Sequence, residues 1–490
     1  MKGRKNVLLV LCVAVLLVFT PVMLSAAGVM DDSADIDYAK WADVSIDSIA
    51  DLSIDALRAR DYGSTVTLVE WLGVEGGENE YQAFYAADGT PSYNTYMAAY
   101  MSDGNRVYSR VDVPSTEMPE DGYPVVIFIH GWVGESDAPN YTLNYYADAY
   151  YGDIIDSYVD AGNIVLMPGW RGHSTVDGIK GEGVEFMSAF DNGSYISPLF
   201  YGIDILNLID GIQTLESNNW SVWGYGVGES VKADLNNISI SGHSQGGDSV
   251  LTALAVSGEG SNLDNKLVAG SIWSGCFPDR ITQAETYAAM GESAEAFKAG
   301  TQEEFEWNGT AIGADGSVNP NFIFAWAPDW IGSVDASTWG WQADYFGNSV
   351  EDMLNKKFGQ MYDTINTYVA DINDAEFTIV KDASGKVSVV NDPRIEAYSK
   401  ASSAFWTPEY LVDETIILQH SDQDYYALPE WNASLAERIN AAGGDCADYT
   451  YAENNHSLKT SGYEWFDVNG DAVAGRETAI ERDIALFDGQ

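Results

Sequence analysis

The chain has 490 residues, with 74 Asp and Glu against 24 Lys and Arg, a formal charge of −50 and a pI near 4.1. Hydrophobic residues make up 46% and aromatics 12%, which excludes a chain left disordered for want of a core. A surface this negative also excludes a nucleic-acid partner, because it repels a polyanion and offers few cations to phosphates. The length fits two or three domains, or one large α/β domain that carries an insertion.

The N-terminus reads as a secretory signal over 1–27. Lys2, Arg4 and Lys5 form a positive start, Val7 to Leu24 is almost wholly apolar, and Ser25-Ala26-Ala27 offers small residues for cleavage. A secreted or extracellular protein is therefore expected. If retained, the same segment would be a membrane anchor, and it is the one expected route to a membrane. Cleavage leaves 21 cations against 74 acids, a net charge of −53. Cys276 and Cys446 then remain, too few for a disulfide scaffold, and are expected as free, largely buried thiols. The acid excess, with only 13 Lys, has the character of a surface adapted to salt, so folding and activity are expected to rise in molar salt.

Residues 28–60 form an acidic lead-in with weak helical periodicity at Trp41, Ile46, Ile49, Leu52, Ile54 and Leu57. Strands are expected over 65–71 and 107–113, followed by a turn-rich connector at 114–122. Val125-Val126-Ile127-Phe128-Ile129 is a continuous apolar run of the kind found in strands buried on both faces. Helices are then expected over 144–161, 198–215, 248–257 and 431–442, alternating with strands over 164–167, 237–241, 268–273, 416–419 and 448–451. That alternation implies right-handed crossovers and an α/β fold, a doubly wound, mostly parallel sheet of about eight strands. The rhythm breaks over 277–412, where helix-like pieces (283–299, 350–370) mix with loops containing Trp307, Trp326, Trp330, Trp339 and Trp341. This stretch is expected to be a cap inserted between the sixth and seventh strands. It divides the α/β core into 61–276 and 413–490.

Gly242-His243-Ser244-Gln245-Gly246-Gly247 lies between a predicted strand and a predicted helix, the context a nucleophile elbow requires. Ser244 must sit on a strained turn with its hydroxyl exposed, so the residues two before and two after must be glycine. The helix that follows aims its positive end at a developing oxyanion.

With this elbow in place, the chain resembles the α/β-hydrolase superfamily, and within it the prolyl-oligopeptidase-like (dipeptidyl aminopeptidase/acylaminoacyl-peptidase) and dienelactone-hydrolase-like branch. The resemblance rests on Ile129-His130-Gly131-Trp132, Pro168-Gly169-Trp170-Arg171-Gly172-His173, the Ser244 elbow and Leu418-Gln419-His420-Ser421-Asp422-Gln423-Asp424. It implies a serine hydrolase with an acid and then a histidine after the serine. Of the five histidines only His456 follows the acid strand. The family pattern His-Gly-x-x-Asp, started at His420, lands on Asp424. Ser421 stands where the glycine belongs, and Asp422 remains an alternative. The resemblance also implies an oxyanion hole from the backbone amides of Trp132 and Gln245, with core or pocket wall as the other reading of Trp132. Arg171 and His173 are expected to be structural, and acyl transfer through a serine needs no metal or organic cofactor. Asp467-Val468-Asn469-Gly470-Asp471 resembles the start of a calcium loop, but Ala472 and Thr478 stand where a glycine and a bidentate acid are wanted, so an Asx-rich turn is expected. The implied partner is a small-molecule or peptide acyl substrate. A peptidase is the first expectation and a carboxylesterase the alternative, because the residues before the first motif strand are too few for the β-propeller of such peptidases. An inert secreted binding module is the second alternative.

Overall fold

The computed structural model describes residues 46–72, 93–134, 138–189, 197–220, 230–263, 266–289, 350–422, 424, 426–452, 454–459 and 474–489. The expected signal, the cap tryptophans and the 467–471 loop lie outside these residues.

Nine strands form one sheet. They are β1 (Thr67–Trp71), β2 (Tyr93–Ser102), β3 (Asn105–Pro114), β4 (Tyr123–Ile129), β5 (Ile164–Pro168), β8 (Ala233–His243), β9 (Ala269–Trp273), β12 (Thr415–Ser421) and β13 (Asp445–Tyr451). Two small hairpins complete the described strands: β6 (Thr175–Val176) with β7 (Ile179–Lys180), and β10 (Thr378–Lys381) with β11 (Val387–Val390). The sheet order is β1-β2-β3-β5-β4-β8-β9-β12-β13. Pairings from β1 to β5 through β3 are antiparallel, and every pairing from β5 onward is parallel. All eight expected strands are present. The ninth, β2, escaped the sequence reading because Tyr-Asn-Thr-Tyr-Met-Ala-Ala-Tyr-Met-Ser has neither clean alternation nor a β-branched run.

The apolar runs in the central strands are explained by burial on both faces. Along β4, Val125, Ile127 and Ile129 join one buried cluster while Val126 and Phe128 join another. Along β5, Ile164 and Leu166 face the first cluster and Val165 and Met167 the second. This is the period-2 alternation of a strand with helices on either side. The first face is covered by the helices Ser197–Gly211, Gln245–Ser257 and Pro429–Ala442. The second is covered by Leu143–Asp160 and the C-terminal helix Ala474–Phe487.

The second face carries a polar patch. Ser271 and Trp273 on β9 and Gln419 on β12 donate hydrogen bonds of 2.5, 2.8 and 2.7 Å to the carboxylate of Asp483 on the C-terminal helix, and the Tyr158 hydroxyl donates a fourth. Burial outweighs these donors and pushes the Asp483 carboxyl up to about 7.

Between β9 and β12 the described pieces are the helices Arg280–Ala289, Val350–Tyr368 and Pro393–Ala401, the β10–β11 hairpin and two single 3-10 turns, Ala404–Trp406 and Pro408–Tyr410. They are anchored to the rest of the chain at specific points. Ile46 pairs with Val369, the Ser48 hydroxyl donates to Asp371 at 2.6 Å, and Met353, Phe358 and Ile365 lie in the first buried cluster. Among the described residues, no helix is long and apolar enough to cross a membrane.

Candidate active site

Parallel strands place their C-terminal ends along one edge, where loops converge. Register fixes which loops meet: Ile129 pairs with Gly242, His243 with Trp273, Gln419 with Trp273, and Ser421 with Tyr451. The residues following β4, β8, β12 and β13 are therefore neighbours, although more than 300 positions separate the first from the last.

Ser244 follows β8 directly, at φ 58° and ψ −124°, and caps the helix Gln245–Ser257. A non-glycine residue at positive φ is costly and persists where its surroundings dictate it. They do so here through backbone bonds. The Ser244 N–H donates to the Trp273 carbonyl at 2.9 Å, and the Ser244 carbonyl accepts from Gly247 at 2.9 Å and Cys276 at 3.3 Å. The elbow glycines are set by close approach. A Cβ on Gly246 would lie 2.5 Å from the backbone oxygens of both Ile129 and His130, and one on Gly242 would lie 2.7 Å from Val250 Cγ2. The helix thus packs its first turn against the end of β4. The sequence reading of a strained strand–turn–helix at Ser244 agrees with this geometry.

The strand order and this turn together decide the architecture. The chain has the α/β-hydrolase fold. Strands β2 to β13 of the sheet, with β4 and β5 exchanged and β3 antiparallel to its neighbours, supply its eight positions, and β1 adds an edge strand.

The segment beginning with His130 runs beside the elbow. A Cβ on Gly131 would lie 3.3 Å from Ser244 Cβ. Both peptide units around Gly131 are held by side chains. Its N–H donates to the Tyr151 hydroxyl at 2.9 Å, and its carbonyl oxygen accepts from His130 Nδ1 at 2.7 Å. The Gly131 carbonyl and the Trp132 N–H belong to one trans peptide and point in opposite directions. Fixing the carbonyl therefore fixes the direction of the Trp132 amide. The Trp132 side chain is 37% exposed, so it is not core.

His130 is packed between Trp170 and Tyr141, with ring centroids 4.3 and 6.3 Å away, and burial and the neighbouring His173 push its pKa down to about 3. It remains neutral and structural. Arg171 is fully buried on Asp204 at 2.7 Å and Asp103 at 3.2 Å, and His173, brought down to about 4 by burial, bonds the Arg171 carbonyl. Both residues brace the loop after β5.

His456 lies in the loop after β13 and is 3% exposed. Its Nδ1 is 2.9 and 2.8 Å from the two carboxylate oxygens of Asp424. Asp424 is in turn held by the Tyr426 and Ala427 amides, which donate to Oδ1 at 2.8 and 2.9 Å. It is therefore Asp424 whose carboxylate engages His456. Asp422 sits at the end of β12, its N–H on the Tyr451 carbonyl. The His456 loop is braced from behind: buried Arg476 donates to the Ser457 carbonyl at 3.0 Å and pairs with Asp153. The Ser421 hydroxyl, in the position where a glycine was expected, donates to the Asn454 carbonyl and ties the acid loop to the histidine loop.

Two features escaped the sequence reading. The Cys276 thiol, half-buried, stands 3.9 Å from the Ser244 hydroxyl. His243 bonds the His456 carbonyl through Nε2 at 3.1 Å. Neither pair had a sequence signal, since 32 and 213 residues separate the partners. Gln245 is the first residue of the elbow helix, so its N–H lies at the helix's positive end. Among the described residues, no cluster of His, Cys, Asp or Glu has the arrangement of a metal site.

No protein-family model matches the chain, and no curated protein sequence does. Solved structures do resemble it, with low identity. Acetyl xylan esterase 1 from Thermoanaerobacterium sp. JW/SL YS485 is 11% identical with a TM-score of 0.43, over 90% of this chain and 92% of that one. An acetyl xylan esterase from Paenibacillus sp. R4 is 12% identical with a TM-score of 0.41, over 88% and 91%. The acylaminoacyl peptidase of Pyrococcus horikoshii is 13% identical with a TM-score of 0.41, over 81% of this chain. The chain spans only 41% of that peptidase's length.

Proposed function

We propose that this chain is a serine hydrolase that cleaves an acyl bond through Ser244, Asp424 and His456. The observation that carries the reading is the Asp424 carboxylate on Nδ1 of His456, at 2.8 and 2.9 Å, in a loop that register brings beside the strained Ser244 turn. A carboxylate on Nδ1 selects the tautomer with a bare Nε2, the form that can take a proton from a serine. His456 removes the Ser244 proton as Oγ attacks the substrate carbonyl. The oxyanion is met by the Trp132 and Gln245 amides, one oriented by the His130 lock on its peptide and the other at a helix N-terminus. His456 returns the proton to the leaving group, then activates the water that releases the acyl-enzyme.

The leaving group is assigned first as an amine, that is a peptide substrate, on the motif set shared with the prolyl-oligopeptidase-like branch. The second assignment is a carboxylic ester, including acyl groups on polysaccharide. The segment 277–412 is taken as the cap that shapes the acyl site. The chain is further assigned as secreted through its 1–27 leader and adapted to salt through its acid excess.

The test is turnover of aminoacyl and peptidyl amides beside a panel of short and aromatic esters, each with wild type and Ser244→Ala. Amide turnover lost in the variant supports the peptidase, and ester turnover alone supports the esterase. Activity equal in both proteins would remove the reading. Salt adaptation is tested by thermal melts, which should shift upward between dilute and molar NaCl; melts that stay put contradict it.

A further inference from the structure

Two buried side chains outside the mechanism above join three of its parts. The Gly131 N–H donates to the Tyr151 hydroxyl at 2.9 Å. That hydroxyl lies 3.1 Å from His243 Nδ1, and His243 Nε2 lies 3.1 Å from the His456 carbonyl oxygen. A carbonyl can only accept, so His243 carries its proton on Nε2. Nδ1 is then the bare nitrogen, and the Tyr151 O–H donates to it. Every proton in the chain has one direction, from Gly131 through Tyr151 and His243 to the backbone of His456.

The positions of these residues give the chain its reach. Gly131 follows β4 and precedes Trp132. Tyr151 lies in the helix Leu143–Asp160, and His243 is the last residue of β8, directly before Ser244. Tyr151 and His243 are 3% and 5% exposed, so water does not readily replace a lost link. The Tyr151 ring packs 4.8 Å from Phe128, and the His243 ring packs 4.7 Å from the His456 ring. An apolar residue of similar size could fill either space. The polar atoms are explained only by what they hold.

We propose that Tyr151 and His243 are positioning residues that set the distance between the Trp132 amide and the His456 imidazole across Ser244. The proposal rests on the serine-hydrolase reading. The serine itself is fixed by the elbow, whereas the loops after β4 and β13 come from distant elements and need a common reference. Burial, reinforced by repulsion from a charged His456, holds the His243 pKa well below the usual histidine value. His243 thus stays neutral while His456 gains its proton, and the direction of each bond survives the catalytic cycle.

The test uses Tyr151→Phe, which removes only the hydroxyl, His243→Asn, whose side chain stops short of the His456 carbonyl, and His243→Gln, whose amide reaches the Nε2 position. Each is compared with wild type for the rate of fluorophosphonate labelling at Ser244 and for kcat and KM on an ester that wild type turns over. Tyr151→Phe and His243→Asn should lose on the order of 10- to 100-fold in labelling rate and kcat, the scale of a misplaced catalytic group. KM should hold, since ground-state binding is untouched. His243→Gln, which restores the bond to the His456 carbonyl but not the acceptor for Tyr151, should recover part of the loss, which a role in packing alone would not produce. Wild-type rates in Tyr151→Phe and His243→Asn, with wild type itself labelled, overturn the positioning role and leave the hydrolase reading intact. A rate loss that His243→Gln does not relieve overturns it too. Folded wild type that takes no label overturns the hydrolase reading, and the positioning role falls with it.

Discussion

Asp424 meets His456 with both carboxylate oxygens, 2.9 and 2.8 Å from Nδ1, while Asp422, two residues earlier, directly follows strand β12 with its N–H on the Tyr451 carbonyl. The consequence is an asymmetry between two nearby aspartates. Asp424→Asn replaces an obligatory acceptor with a group that can donate, so the His456 tautomer reverses and Nε2 can no longer accept from Ser244. In the serine-protease template the equivalent change costs on the order of 10⁴ in kcat. A comparable loss is expected here, against a change of less than about tenfold in Asp422→Asn. Steady-state kinetics on one ester substrate decides it. Equal losses in both variants would contradict the assignment.

Ser244 holds φ 58° without being glycine, a strain on the order of 1 kcal/mol. Ser244→Gly should therefore be inactive yet more stable than Ser244→Ala by about that amount. Chemical denaturation of the two variants measures the difference. A less stable glycine variant would mean that the elbow is not strained.

Much of this was legible in the sequence because the signals are local. The run Val125–Ile129 is apolar at every position because alternate residues face two different cores. The elbow glycines announce themselves because neighbouring atoms approach within distances no Cβ allows: backbone at the end of β4 at Gly246, the Val250 side chain at Gly242, and Ile272 with Gly275 at Gly247. The hairpin β10–β11 was missed although Asp382-Ala383-Ser384-Gly385 is a turn signal. Asp382 accepts from the Ser384 and Lys386 amides, and Gly385 lies at φ 94°. The flanking residues lie in a stretch without regular periodicity, so the turn has no strand pattern on either side to mark it as a hairpin. The choice between Asp422 and Asp424 stayed open for a different reason. Ser421 broke the family pattern, and only the extent of β12 and the Ser421 link to Asn454 set the register. The Gly131–Tyr151–His243–His456 chain had no sequence signature, because it depends on crossovers that bring four distant elements together.

Asp483 provides a pH-dependent contribution to stability. Its carboxyl is raised from 3.8 to about 7 by burial, so the folded state holds a proton that the unfolded chain releases. Stability from this group is fully present below the unfolded value near 3.8 and is lost as pH rises through about 7. Asp483→Asn keeps a neutral side chain at every pH. The difference in melting temperature between wild type and variant should favour wild type most at pH 5 and shrink toward pH 8. A difference that grows with pH would contradict the raised pKa.

Cys276 stands beside Ser244 and is half-buried, whereas Cys446 is buried and its thiol is pushed up to about 12 by burial and two nearby aspartates. A small methanethiosulfonate should therefore react at Cys276 and leave Cys446 untouched. The adduct would crowd the space in front of Ser244 and slow its acylation. Cys276→Ser should retain activity and lose this sensitivity. Unchanged activity after stoichiometric modification of Cys276 would show that the thiol faces away from the substrate.

The central claim is that Ser244 is an activated nucleophile. Fluorophosphonate labelling in molar NaCl, read by mass spectrometry of the peptide containing Gly242–Gly247, tests it most directly. Wild type should carry one adduct on Ser244, Ser244→Ala should carry none, and His456→Ala should label far more slowly. A folded wild type without the adduct, or with the same adduct rate after loss of His456, would contradict the account.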